Sequence, residues 1–424
     1  MQSHLILDSY LQKTTLAAAT LLLVLVGCSE NTSEPQIAEP TAETRPSGFE
    51  LLNPELSTAA KQITLDYAEQ IRVDFSQVSI EIEKLQSAIG EFLAQTNIEN
   101  LERARQSWML AHTAYELTTL HRYFAASILD EQNSIALLQL QYQINHWPIV
   151  PGYLDYVDGY PDSGIVHDIN VSLDSIGLRD QHGAFDISEV TLGFHVLEFL
   201  LWGSRDTQSE LRSVDDFIEI DALDGSQIES GYSLEQLSNN RRRQLLAIIA
   251  DILLGDFREL GSLWSDQLER AEQSIDRTSQ TELITTLADS MSAMLTEELL
   301  LRSLYPMLNG DFVESIQSPY SLSTQNAVSS QLSGLESLLL ESQSENGTTL
   351  DLVFSAISDE FSEFFYQNFD ASKSCLVLLY SNTDNDTDST STERVIGVVE
   401  CIYLRNNKIE DIHSLWRVLT YLSI

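Results

Sequence analysis

The chain has 424 residues, 43% of them hydrophobic, with 64 acidic against 23 basic residues and a formal net charge of −41. That balance excludes nucleic acid and an anionic membrane surface as natural partners and makes cations the counter-species; acid spread along a whole chain also marks a well-solvated surface. The apolar content is that of a globular protein able to bury a sizeable core.

After Lys13, residues Leu16 to Val26 are only small or apolar. This run is too short for a comfortable membrane-spanning helix, which needs about 20 residues, and it reads as a secretory signal. Gly27 directly before Cys28 at its end is the pattern of a bacterial lipoprotein signal, in which the cysteine is lipidated and becomes the new N-terminus. Residues 1–28 are therefore read as signal, with Cys28 as the lipidated residue. Residues 29–49, rich in Ser, Thr, Glu and Pro, read as a disordered tether. Ser29 favours outer-membrane delivery, so the expected location is the bacterial cell envelope, lipid-anchored at the outer membrane and facing the periplasm. In that oxidising compartment Cys375 and Cys401 either pair across the polar loop 381–393 or stay free.

From residue 54 to 94, Leu56, Ala59, Ile63, Tyr67, Ile71, Phe75, Val78, Ile82, Leu85 and Phe92 recur at three- and four-residue steps, which predicts one long amphipathic helix. Similar patterns predict helices over 97–126, 131–144, 186–202, 234–271, 277–308, 324–344, 349–380 and 392–420, and no strand is required. Residues 145–185, with prolines and glycines set among aromatics, break the pattern and read as a long packed loop of the kind that usually carries function. The expected fold is all-α, two helical bundles packed side by side over 50–210 and 211–424.

Residues 192–203, LGFHVLEFLLWG, set Gly193, His195 and Glu198 in an otherwise apolar helix. Asp186 with Glu189 three residues on predicts a capped start, and Gly203 a stop. Within such a helix His195, Glu198 and Trp202 share one stripe, with Thr191 a turn earlier. A glycine in a helix interior costs about 1 kcal/mol against alanine and points to close approach of another backbone. His and Glu at i, i+3 either hold a metal ion, as in metal-binding bundles, or hydrogen-bond to each other in a core. Near them, His146 and His167 in the loop either swing toward the motif or are solvated, while Tyr115, Trp147 and Trp202 read as packing around it. Arg122 either pairs with Glu198 or is an ordinary surface arginine, and Arg241–Arg243, at an unfavourable helix start, call for an acidic neighbour.

Gly193-Phe194-His195-Val196-Leu197-Glu198 resembles the G-x-H-x-x-E signature of the imelysin family, also called M75 peptidase-like. Three further stretches are similar to that family in order: ARQSWMLAHTAYE at 104–116, with Trp108 and Tyr115 and the following Arg122; INHWPIVPGYLDYVDGYPDSGIV at 144–166; and NNRRRQLLAIIADIL at 239–253. The resemblance implies a bacterial envelope protein with two bundle-like halves, the motif lying between them, and a link to iron uptake. It implies a metal site at His195 and Glu198 for iron or zinc, supported by Gly193, Trp202, Tyr115, Arg122, His146 and Trp147. Its partners would be a metal ion or small iron complex, the membrane through the lipid anchor, and other iron-uptake components of the envelope. The chain departs from the family where many members carry Thr-Glu and it has Thr118-Thr119, and where acidic residues follow the Trp-Pro pair and it has Val150-Pro151. Hydrolytic zinc needs three protein ligands and an activated water. Binding of a metal or iron complex is therefore expected ahead of M75-type peptidase activity, with a metal-free binding or scaffold role as the third alternative.

Overall fold

The computed structural model describes residues 54–128, 131–204, 211–278, 280–308 and 311–340, together with scattered positions between 349 and 380. Cys28, the signal and tether, Cys375, Cys401 and the predicted helix over 392–420 lie outside the described residues, as does most of 349–380.

The described chain is helical, and its one β-type pairing is an isolated bridge between Val157 and Tyr160. Helix α1 (Pro54–Ala94) forms as its periodicity predicts: Ile63, Tyr67, Ile71, Phe75, Val78, Ile82, Leu85 and Phe92 are all buried along one face. The helix expected over 97–126 is divided into α2 (Ile98–Leu117) and α3 (Thr119–Ile128). The cause is local. Thr118 and Thr119 turn their hydroxyls back to the carbonyls of Tyr115 (2.6 Å) and Glu116 (2.7 Å), competing with the helical ladder. Helix α4 (Glu131–Asn145) follows. Residues 146–193 are irregular apart from the short helices Pro151–Leu154 and Ser175–Gln181, as the prolines and glycines predict as far as residue 185.

Helix α5 (Phe194–Trp202) carries the motif and is buried at every position. It starts well after the predicted boundary. Asp186 caps a turn by accepting from Ser188 N (2.8 Å), and Gly193 is the N-cap. Gly203, with φ 77, ends the helix as predicted, its N–H bonding to Phe199 O (2.8 Å). Helices α6 (Ser238–Ser274) and α7 (Gln280–Met294) come next, α7 running on into a π-helical segment, Leu295–Leu304. Helix α8 (Thr324–Leu340) is the last long element described.

Helix α1 packs along α2 and α6, α8 lies on α2, α7 on α3, and α5 sits between α2 and α6. Helices from both sides of residue 210 thus contribute to a common interior. The α2–α8 contact requires a glycine, since a Cβ on Gly334 would lie 2.1 Å from Leu117 O.

Candidate functional site

The N-terminus of α5 is fixed by backbone. Gly193 has φ 98, and a Cβ there would stand 2.5 Å from both Gln143 O and Ile144 O, so the start of α5 abuts the end of α4. The glycine is needed for close approach, as expected, but at the cap and not in a helix interior. Trp108 of α2 secures the same turn by donating Nε1–H to Phe194 O (2.8 Å). At the other end Arg105 donates to Leu201 O (3.1 and 2.8 Å), satisfying a carbonyl that the helix leaves open, and to Arg212 O (3.1 Å).

In the first turn of α5, His195 Nδ1 lies 2.9 Å from Glu198 Oε2. Glu198 is fully buried, and its other oxygen accepts from Tyr320 N (3.1 Å), Ser321 N (2.7 Å) and Ser321 Oγ (2.7 Å). Burial pushes Glu198 up to about 7, against the opposing pull of the Ser321 donors. Above about pH 7, where Glu198 is ionised, the carboxylate only accepts, so Nδ1 then carries the imidazole proton and Nε2 the free lone pair. That Nε2 is buried and has no hydrogen-bond partner. Burial, and then His112 alongside, hold His195 well below the usual histidine range, so the ring stays neutral. A carboxylate that fixes the tautomer of a neutral imidazole is the arrangement that orients histidine ligands toward metals.

The model of the imelysin family (peptidase M75) matches residues 71–384. The chain belongs to the imelysin family. In fold it is similar to a protein from Parabacteroides distasonis ATCC 8503, described as an iron-regulated protein A precursor, whose crystal structure was determined at 2.30 Å resolution. The two share 13% identity with a TM-score of 0.59, over 89% of this chain and 97% of that one. No curated protein matches the sequence.

Beside the imelysin motif lies a second buried carboxylate, Glu116 of α2, which sequence reasoning missed. Its oxygens accept from Asn145 Nδ2 (2.6 Å), Gln317 Nε2 (2.7 Å), Gln331 Nε2 (2.7 Å) and Thr119 Oγ1 (3.2 Å), with His112 Nε2 at 3.4 Å. Burial alone would raise Glu116, but His112 and Arg122 outweigh it and hold it below the ordinary carboxylate range. His112 connects the two carboxylates: its ring centroid is 5.1 Å from that of His195, and it stacks on Trp108. The signal was available in the sequence, because His112 and Glu116 are four apart on the helix face next to Trp108 and Tyr115.

The other predicted residues fall into place around this core. Arg122 is buried and faces neither Glu198 nor solvent: it stacks on Tyr115 (4.6 Å), bonds Thr119 Oγ1 (3.1 Å) and lies 3.9 Å from Glu116 Oε2. Tyr115 packs against Phe194 (5.3 Å between centroids) and Trp202 against Trp108 (5.4 Å), so both act as packing. Trp147, joined to Pro148 by a cis peptide bond, lies beneath the Arg302 guanidinium (4.6 Å). His146 Nε2 is buried without a partner, and burial and then Arg302 lower this histidine to about 3. Thr191 lies before the helix and bonds Leu178 O (2.6 Å). His167 turns away from the motif, toward Asp155 Oδ1 (3.4 Å).

Asp155 is also the acidic neighbour called for by the basic helix start. Arg242 bonds it through Nε (2.5 Å) and Nη2 (2.9 Å), and Arg212 Nη1 lies at 3.0 Å. Burial would raise Asp155, but the two arginines hold it below the ordinary carboxylate range. Arg241 instead gathers the carbonyls of Ile165, Val166, Asp168 and Val171, and so ties the irregular loop to α6.

The donor set can now be tested against a metal. Both oxygens of Glu198 and of Glu116 are already engaged, and among the described residues no group of three or more His, Cys, Asp or Glu is arranged to hold an ion. What the motif offers is one oriented, unpartnered ligand atom, His195 Nε2. That fits a metal arriving with most of its coordination shell, and it fits poorly a bare ion needing a cage. Glu198, expected from the sequence as a ligand, has its oxygens taken up by His195, Tyr320 and Ser321.

Proposed function

We propose that this imelysin is a lipid-anchored envelope protein of iron acquisition whose cargo is a small iron complex, taken up through one open coordination position by His195 Nε2. The observation that carries this reading is the buried Nε2, with no partner and a lone pair set by the Glu198–Nδ1 bond. Family membership supports it, as does the description of the Parabacteroides distasonis protein as iron-regulated. The anchor at Cys28 would keep a highly acidic body soluble at the membrane, where its charge disfavours contact with anionic headgroups. Imidazole also suits zinc, so zinc is the competing cargo.

Calorimetry and elemental analysis on the purified protein, with ferrous iron, zinc and ferric citrate as separate probes, test the proposal. Ferric citrate should bind, and His195→Ala should weaken that binding about tenfold or more, on the order of 1.4 kcal/mol. Equal affinity in the two proteins, with a lower melting temperature for His195→Ala, would reduce the pair to a core hydrogen bond. Tighter binding of zinc than of either iron probe would change the cargo.

A further inference from the structure

Glu198, the partner of His195, lies beneath a short segment that bonds to it directly. Residues 316–323 run from the short helix Phe312–Ser315 to the start of α8. Pro319, Ser321 and Leu322 are partly exposed, whereas Glu198, bonded directly to Ser321, is 0% exposed and His195 only 2%. A ligand approaching past Ser321 meets this segment and then Glu198, with His195 on that carboxylate's other oxygen.

Its ends and its middle are held differently. At one end Gln317 donates to Glu116 Oε1 (2.7 Å), and Ser318 N donates to Thr324 Oγ1 (3.1 Å) at the foot of α8. In the middle, three donors from two consecutive residues, Tyr320 N, Ser321 N and Ser321 Oγ, converge on the single oxygen Glu198 Oε1. The Tyr320 ring leans on Phe199 of the same helix (5.1 Å between centroids), and Ser321 Oγ also meets Ser323 Oγ (2.7 Å). Leu322 follows at φ 57, a left-handed conformation that costs a leucine free energy and that the neighbouring bonds must sustain. The cover is thus a strained turn tied at its ends and latched at its centre by the carboxylate that also orients His195.

We propose that residues 318–323 form a latched cover over His195: opening breaks the bonds to Glu198 Oε1 and relaxes Leu322, admitting a ligand to Nε2, and closing restores them. The proposal rests on the reading of His195 as a ligand only for the purpose of the opening. The opening itself is a property of the free protein, so it is tested without metal.

Diethyl pyrocarbonate, which acylates neutral imidazole nitrogen, serves as the probe on the full chain, with modification of His195 followed by peptide mass spectrometry. Amide hydrogen exchange at Tyr320 and Ser321 is measured in parallel. In the native protein His195 and the Ser321 amide should show one shared protection, lower than that of the α8 amides, because both become accessible in the same local opening. Ser321→Ala removes one latch donor and should raise the His195 rate about tenfold. Ser323→Ala leaves all three donors on Glu198 and should change the rate less. Protection of His195 equal to that of the α8 amides, released only by global unfolding, would overturn the cover, as would a folded Ser321→Ala protein that reacts at the native rate. If Ser321→Ala fails to fold by circular dichroism, the comparison within the native protein decides alone. A protein that opens in this way yet binds no iron or zinc would sink the cargo proposal and leave the cover standing.

Discussion

Gly193→Ala should be among the more damaging single-methyl additions to this protein. Two terms act together. At φ 98 and ψ −175 an L side chain is strained whatever the space, which costs about 1–3 kcal/mol. The new Cβ would also stand 2.5 Å from Gln143 O and Ile144 O and 2.8 Å from Ile144 C. These are backbone atoms that cannot rotate away, so forcing α4 and α5 apart adds roughly 1–3 kcal/mol of overpacking. The loss is therefore roughly 2–6 kcal/mol, and for a unit the size of Leu52–Ile424 each kcal/mol is worth on the order of 1.3 °C. Thermal unfolding followed by circular dichroism should show Tm lower by roughly 3–8 °C. Gly90→Ala is the matched control: Gly90 is inside α1 with nothing within 4 Å of its would-be Cβ, and the change should stabilise by about 0.4–1 kcal/mol. A Gly193→Ala protein that melts within a degree of the native one would refute the backbone account of this glycine.

Burial lowers His146 to about 3 and His182 to about 4, while both titrate near 6.5 in the unfolded chain. The unfolded state then binds more protons, so their contribution to stability is complete above about pH 6.5 and is lost as pH falls toward 4 and below; urea titrations at pH 7 and 4.5 should show a smaller fall in a His146→Gln, His182→Gln protein, and an unchanged fall would exclude these groups. Asp155→Asn strips the buried charge from Arg242 and Arg212 and should cost about 3–5 kcal/mol by urea midpoint, well above Asp216→Asn, whose side chain is 25% exposed. Equal losses would show that burial does not set the difference. Cys28→Ser should move the protein from the detergent phase to the aqueous phase on partitioning, and unchanged partitioning would remove the lipid anchor.

The helices were legible wherever packing follows a single apolar stripe. In α1 the predicted positions from Ile63 to Phe92 are buried, because a long helix facing one core obeys its own period. Prediction failed where side chains or backbone compete with that period. Thr118 and Thr119 interrupt the second helix through hydroxyl bonds to carbonyls three residues back, an effect that hydrophobic spacing does not register. Asp186 and Glu189 have the spacing of a capping box, yet Gly193 starts the helix, because the contact with residues 143–144 is tertiary and outweighs a local cap. The interior stretch that looked fully helical from 186 to 202 is apolar because it is buried, and burial alone does not separate helix from packed loop.

The site was legible to the extent that its chemistry is local. His195 and Glu198, three apart, declare their pairing in the sequence, and so could His112 and Glu116, four apart. Nothing local announces that Gln317 and Gln331 would reach Glu116, or that Ser321 would reach Glu198, across separations of more than 120 residues. Those distant donors decide the roles. A Glu198 with free oxygens would have lone pairs to offer beside His195; with its oxygens occupied by Ser321, Tyr320 and the imidazole, Nε2 is left as the unpartnered atom of the pair. On the proposed reading, the same bonds that occupy Glu198 also orient His195 as a ligand, and the latch of the proposed cover rests on that one carboxylate. A change at Glu198 should accordingly disturb cover and imidazole together, whereas a change at Ser321 touches the cover first.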